Sequence, residues 1–197
     1  MHKSDEHRFL LISVPHTKST SARKWIEAFF SAKAVGGVHE ARIPKECEGY
    51  TIWSMVRDPF QRCVALWKKI HRGPELPVAT AWMKDRGFDF PKDFGEFAEL
   101  MATGKMNDCP KEQFSPQAPL LNRVAGRIDF LFRFESVPSG LSVLPFVNGH
   151  LPAFPHVNKN PLMSEFTPDI ARVKFPLSPL DVEKWAPDDL AIWEGAL

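Results

Sequence analysis

No glycine occurs between Phe9 and Val35, and the whole chain has one tyrosine beside 16 phenylalanines. Net charge is nearly absent: 25 Lys and Arg stand against 24 Asp and Glu, a formal +1. A chain that binds polyanions through its overall field carries a large basic excess, so an anion site here has to be local, and nucleic acid is not an expected partner. Cysteine is scarce. Cys47, Cys63 and Cys109 are odd in number and lack metal-type spacing, which argues against a disulfide framework and a metal site alike. Long apolar runs are missing too. The stretch Phe9 to Val14 follows the charged MHKSDEHRF and is too short for a secretory core, and nothing elsewhere approaches the roughly 18 apolar residues of a membrane span. These absences predict a soluble, cytoplasmic protein without a membrane partner. What is plentiful is proline, 18 residues, which predicts many segment breaks and an irregular second half. With 197 residues, 44% hydrophobic and 25% charged, the chain is expected to form one domain over 1–197 around a single core.

Phe9-Leu10-Leu11-Ile12-Ser13-Val14 is continuously apolar and stops at Pro15, the pattern of a buried parallel strand. A polar loop, Pro15 to Ser21, leads into a segment where Ala22, Trp25, Ile26 and Phe29 share one helical face. Ser19, Thr20 or Ser21 is expected to cap that helix, with Gly36-Gly37 soon after its end. A second unit repeats the plan. Tyr50–Val56 reads as a strand and Arg57-Asp58-Pro59 ends it; Asp58 caps a helix with Phe60, Val64, Trp67 and Ile70 inward. Pro91–Thr103 reads as a further helix, Ile128–Phe134 as a third strand with a helix from about Val137, and Asp181–Leu197 as a closing helix or two. Strands alternating with helices predict an α/β domain around a mostly parallel sheet.

Ligands of such sheets bind beyond the carboxyl ends of the strands, where helix N-termini offer unpaired N–H groups and a partial positive charge. The first loop puts His16, Thr17, Lys18, Ser19, Thr20 and Ser21 there, a plausible phosphate cradle. It is not a Walker A loop, which needs G-x-x-x-x-G-K-[ST] and glycines that let the backbone wrap phosphate. Arg57, at the end of the second strand, is placed as a bidentate phosphate ligand, with Arg62 following in the helix.

Taken together these segments resemble the sulfotransferases that use 3'-phosphoadenosine 5'-phosphosulfate (PAPS), most closely the carbohydrate-type branch. Val14-Pro15-His16-Thr17-Lys18-Ser19-Thr20-Ser21 is similar to its 5'-phosphosulfate loop, and Val56-Arg57-Asp58-Pro59-Phe60-Gln61-Arg62 to its 3'-phosphate motif. Asp129-Phe130-Leu131-Phe132-Arg133-Phe134-Glu135, Pro155-His156-Val157-Asn158-Lys159 and Ala186-Pro187-Asp188-Asp189-Leu190-Ala191-Ile192-Trp193 resemble later motifs in the same order. The resemblance implies a P-loop-NTPase-like three-layer α/β fold with helices flanking the sheet, and sulfuryl transfer from PAPS, without a metal, to a hydroxyl of a carbohydrate or small molecule. It implies nucleotide ligands among Thr17, Lys18, Ser19, Thr20, Ser21, Arg57, Arg62 and Lys159. His16 stands where the family has its catalytic lysine; an imidazole can donate a proton to the leaving group but is only partly cationic at neutral pH. His39 is the candidate base. The last serine of the 3'-phosphate motif is Ala65 here, a loss of roughly 1.5–3 kcal/mol that Arg57 must offset. Two alternatives stay open: a catalytically degenerate relative that binds nucleotide or sulfate, and a P-loop small-molecule kinase.

Overall fold

A computed structural model describes residues 1–71, 76–106, 109, 114–155, 168–169, 171 and 186–197. The chain forms two compact units, one of Met1–Arg57, Gln117–Asn158 and Ala191–Leu197, the other of Asp58–Pro116 and Lys159–Leu190.

The first unit carries an open five-stranded sheet in the order β3-β1-β2-β4-β5. Its strands are β1 (His2–Ser4), β2 (Phe9–Ile12), β3 (Lys33–Ala34), β4 (Thr51–Val56) and β5 (Phe130–Arg133). β2, β4 and β5 are parallel, with Ile12 opposite Ser54 and Val56 opposite Arg133. β1 is antiparallel to both β2 and β3, so the α/β sheet is mixed. The sequence hides β1 and β3 because they are short and polar (HKS and KA) and carry no apolar run.

Side chains alternate across the parallel strands as the pleat requires. Phe9, Leu11, Trp53, Met55 and Phe132 face Ala22, Trp25 and Ile26 of helix α1 (Ser19–Phe29). Leu10, Ile12 and Ile52 face the other way, toward Ala41, Cys47 and Val124. Burying a Trp25 or Leu11 side chain contributes about 1.5–3 kcal/mol, so this two-faced packing fixes the register of β2 against β4. Helix α5 (Ala118–Asn122) brings Leu121 against Val14 and Val56, next to the strand ends that matter below.

The second unit contains α2 (Pro59–His71), α3 (Leu76–Asp85) and α4 (Phe94–Ala102). Phe60, Val64, Trp67 and Ile70 of α2 are buried with Phe94, Phe97 and Met101 of α4, the stripes their spacing predicts. Asp58 Oδ1 accepts from Gln61 N at 2.7 Å, the expected cap of α2. Asp93 caps α4, with Glu96 N donating to Asp93 Oδ1 at 3.0 Å, and the Glu96 carboxylate reaches back past the cap to accept from Lys92 N at 2.9 Å. Asp93→Ala is expected to cost about 1 kcal/mol, read as a lower denaturant midpoint at unchanged m-value.

The helix expected from Val137 is instead a series of 3-10 turns, Ser139–Val143 and Pro145–Val147. Pro138 and Pro145 each remove a backbone donor and keep a longer ladder from forming. The C-terminal helix runs over Pro187–Glu194, and residues 181–185 of the expected closing segment lie outside the described residues. Cys47, Cys63 and Cys109 are free thiols and buried; burial pushes Cys63 up to about 12. No helix among the described residues is long and apolar enough to cross a membrane.

Candidate functional site

Because β2, β4 and β5 are parallel, their carboxyl ends share one edge of the sheet. β2 there gives way to the loop 13–18, β4 hands on Arg57, and β5 hands on Phe134.

The loop is tight. Thr17 is fully buried and its hydroxyl donates to Val14 O at 2.9 Å, so this side chain holds the turn closed. His16 and Lys18 take φ of 66° and 58°, the left-handed region, at a cost of roughly 1–2 kcal/mol each for residues bearing a Cβ. The chain thus makes without glycine the backbone reversal that phosphate loops usually make with it. At the base of the loop the buried Ser13 hydroxyl has no hydrogen-bond partner among the described residues.

Lys18, not a hydroxyl residue, occupies the N-cap position of α1, and its side chain makes no cap hydrogen bond. Ser19, Thr20 and Ser21 fall inside the first turn instead of before it, because Lys18 already turns the chain into the helix. Ser19 and Ser21 are buried, and Thr20 Oγ1 accepts from Arg23 Nη2 at 3.2 Å. The positive end of the α1 dipole therefore lies at this edge, with no cap bond from the N-cap side chain.

Two cations converge beside it. Lys18 Nζ lies 4.3 Å from the centre of the Phe134 ring, and the Arg57 guanidinium carbon 4.1 Å from the same centre. Lys18 also donates to Val137 O at 3.3 Å, and Arg57 Nη1 to His16 O at 3.4 Å. Burial first, and then the charge of Arg57, hold the Lys18 ammonium below its ordinary pKa, with Glu135 opposing. Phe134 offers the quadrupole of its ring face to both cations, so two positive side chains gather at one ring in a protein of nearly neutral charge. Gln117 fixes Arg57 from behind: Arg57 N donates to Gln117 Oε1 at 3.0 Å, and Gln117 Nε2 to Arg57 O at 2.9 Å.

His39 reaches the same strand end, with Nδ1 2.8 Å from Ser13 O. A carbonyl only accepts, so Nδ1 carries a proton in this contact. The structure thus brings His16, Lys18, Arg57 and His39 to the end of β2 and its neighbour β4. Arg62, in the second unit, is 1% exposed and donates to Ser115 O at 2.8 Å; desolvation lowers its pKa and the Asp189 charge opposes this. Lys159, with His156 and Asn158, lies outside the described residues.

Two residues at this edge were given no site role by the sequence, although Phe134 stands within the third resemblance motif. Phe134 looks like one more strand hydrophobe, and Gln117 is a glutamine in a polar stretch. By contrast, the roles of Arg133 and Glu135 are visible only in the fold. Arg133 donates from Nε to Trp193 O at 3.0 Å and from Nη2 to Glu194 O at 2.6 Å, capping the C-terminal helix, while Trp193 Nε1 donates to Glu135 Oε2 at 3.1 Å. The third and fifth resemblance motifs are therefore each other's structural partners.

Among the described residues no group of three His, Cys, Asp or Glu side chains is placed to hold a metal ion. Comparison with family models, curated proteins and solved structures finds no match for this chain.

Lys18 carries a stability consequence. The unfolded chain keeps the lysine proton to higher pH than the folded one, so stability rises with pH as the ordinary lysine range is approached. Lys18→Met is expected to leave the ligand-free protein at least as stable as wild type at neutral pH, and to flatten that alkaline rise. Denaturant titrations at pH 7 and 9.5 check both.

Proposed function

We propose that this edge is a nucleotide-phosphate site and that the protein is a PAPS-dependent sulfotransferase of P-loop-like fold acting on an acceptor hydroxyl. The convergence of Lys18 and Arg57 on Phe134, beside the start of α1, carries the proposal. The donor set fits the group: an anion there would offset the burial, and after it the Arg57 charge, that lower Lys18, and would lie at the N-terminal end of the α1 dipole. The N-terminus of α1, Lys18 and the hydroxyls of Ser19 and Ser21 would hold the 5' end of the donor, and Arg57 its 3'-phosphate. PAPS supplies an activated sulfuryl group and a phosphate leaving group.

The chain's own residues would do the rest. Helix N–H groups and Lys18 stabilise negative charge as it builds on the departing phosphate oxygen, and His16 is the proton donor on that side. His39, whose Nδ1 donates to Ser13 O, accepts the acceptor's proton at Nε2. The test is transfer of label from [35S]PAPS to a panel of saccharide and small-molecule hydroxyl acceptors without added divalent ion. Labelled product is expected. Binding of the bisphosphate product without transfer would leave a non-catalytic binding protein, and Mg²⁺-dependent ATP consumption would favour the kinase alternative.

A further inference from the structure

We propose that Gln117 is a positioning residue for Arg57, acting through the peptide that carries it rather than through the guanidinium. This inference rests on Arg57 being a phosphate ligand, as proposed above. Arg57 is the first residue past β4, where the ladder to β5 ends at Val56 opposite Arg133. One residue beyond, nothing in the sheet dictates where the peptide points. Gln117 supplies that constraint, because its buried amide accepts from Arg57 N and donates to Arg57 O at 3.0 and 2.9 Å.

A primary amide does both at once, through a donor and an acceptor on two separate atoms. A carboxylate lacks the donor, and a methionine or leucine of similar size lacks both partners. Asparagine keeps the chemistry but is one methylene shorter. Gln117 is itself fixed, since it directly precedes α5, whose Leu121 is buried against Val14 and Val56. The connection runs from the strand ends through α5 and Gln117 to the Arg57 peptide, and so to a guanidinium set over Phe134. The site also closes a chain crossing: the first unit is left after Arg57 and re-entered at Gln117, so the two hydrogen bonds tie exit to re-entry. Phosphate affinity would then depend on a residue that does not touch phosphate.

The test has a ligand-free arm and a ligand arm. In the first, the Arg57 Nε–Hε resonance is assigned by its loss in Arg57→Lys and followed in wild type, Phe134→Leu, Gln117→Met and Gln117→Asn. The wild-type signal is expected upfield from the Phe134 ring current, a displacement lost in Phe134→Leu. It is expected to return toward the position of an unconstrained arginine in Gln117→Met and in Gln117→Asn, the milder variant that guards against misfolding. A signal that stays displaced in either folded glutamine variant, or is never displaced in wild type, overturns the proposal. In the second arm, Gln117→Asn is expected to weaken 3',5'-adenosine bisphosphate binding roughly tenfold, about 1.4 kcal/mol, and to have no further effect in an Arg57→Ala background. Equal losses in both backgrounds would make Gln117 a general structural residue and overturn its positioning role. If wild type does not bind the bisphosphate at all, the nucleotide function falls, while the resonance of Arg57 still decides the positioning.

Discussion

Arg57→Ala is expected to lower affinity for 3',5'-adenosine bisphosphate about a hundredfold while leaving affinity for 5'-AMP within a few fold. Hydrogen bonds to a charged group contribute about 1.5–3 kcal/mol each, and a bidentate guanidinium makes two such bonds, so a loss near 3 kcal/mol is a conservative expectation. The selectivity is the informative part, because only the bisphosphate carries the 3'-phosphate assigned to Arg57. The fold should survive. Gln117 holds the backbone of residue 57, not its side chain, and truncation beyond Cβ leaves both of those hydrogen bonds in place. Isothermal titration with the two nucleotides reads the result. Equal losses for both ligands would place Arg57 outside the 3'-phosphate site.

His39→Ala is expected to behave in the opposite way. Turnover should fall by about 10²–10⁴, the usual worth of a positioned general base, with bisphosphate affinity unchanged. The imidazole is held at Ser13 O by a 2.8 Å hydrogen bond. His39→Gln keeps a donor for that carbonyl but no basic nitrogen, so it should be as inactive as alanine. Activity retained in His39→Gln would assign His39 a structural role. Single-turnover measurement with saturating donor separates the chemical step from binding.

How much of this was legible beforehand follows from what periodicity records. Apolar runs and stripes located β2, β4, α1, α2 and α4 because each buries one face, and burial selects residue type at fixed spacing. β1 and β3 were invisible since their pairing is made by backbone and their residues are polar. The loop between β2 and α1 was legible as the connection from strand to helix, but its conformation was not. The missing glycines argue against left-handed backbone, yet His16 and Lys18 both adopt it, and so the hydroxyls fall inside the helix rather than at its cap.

Arg57 was legible because a cation directly after an apolar strand is out of place in a core. Arg62 was equally prominent in sequence, and only the fold shows it buried against Ser115 O with the Asp189 charge near. Gln117 carried no signal, and Phe134 was marked as part of a strand and a motif but not as a residue of the site. Their parts depend on contacts across 60 residues of sequence in one case and on two cations sharing a ring in the other.

The measurement that bears most directly on the central proposal is thermal unfolding with 3',5'-adenosine bisphosphate, against 5'-AMP and ATP–Mg²⁺. A ligand at about a hundred times its Kd stabilises by roughly 2.7 kcal/mol, and for a chain of this size that is a rise of about 5–10 °C. The account predicts such a rise for the bisphosphate, a smaller one for 5'-AMP, and its loss in Arg57→Ala. No shift with the bisphosphate, or one matched by ATP–Mg²⁺, would contradict a site built for a 3'-phosphate.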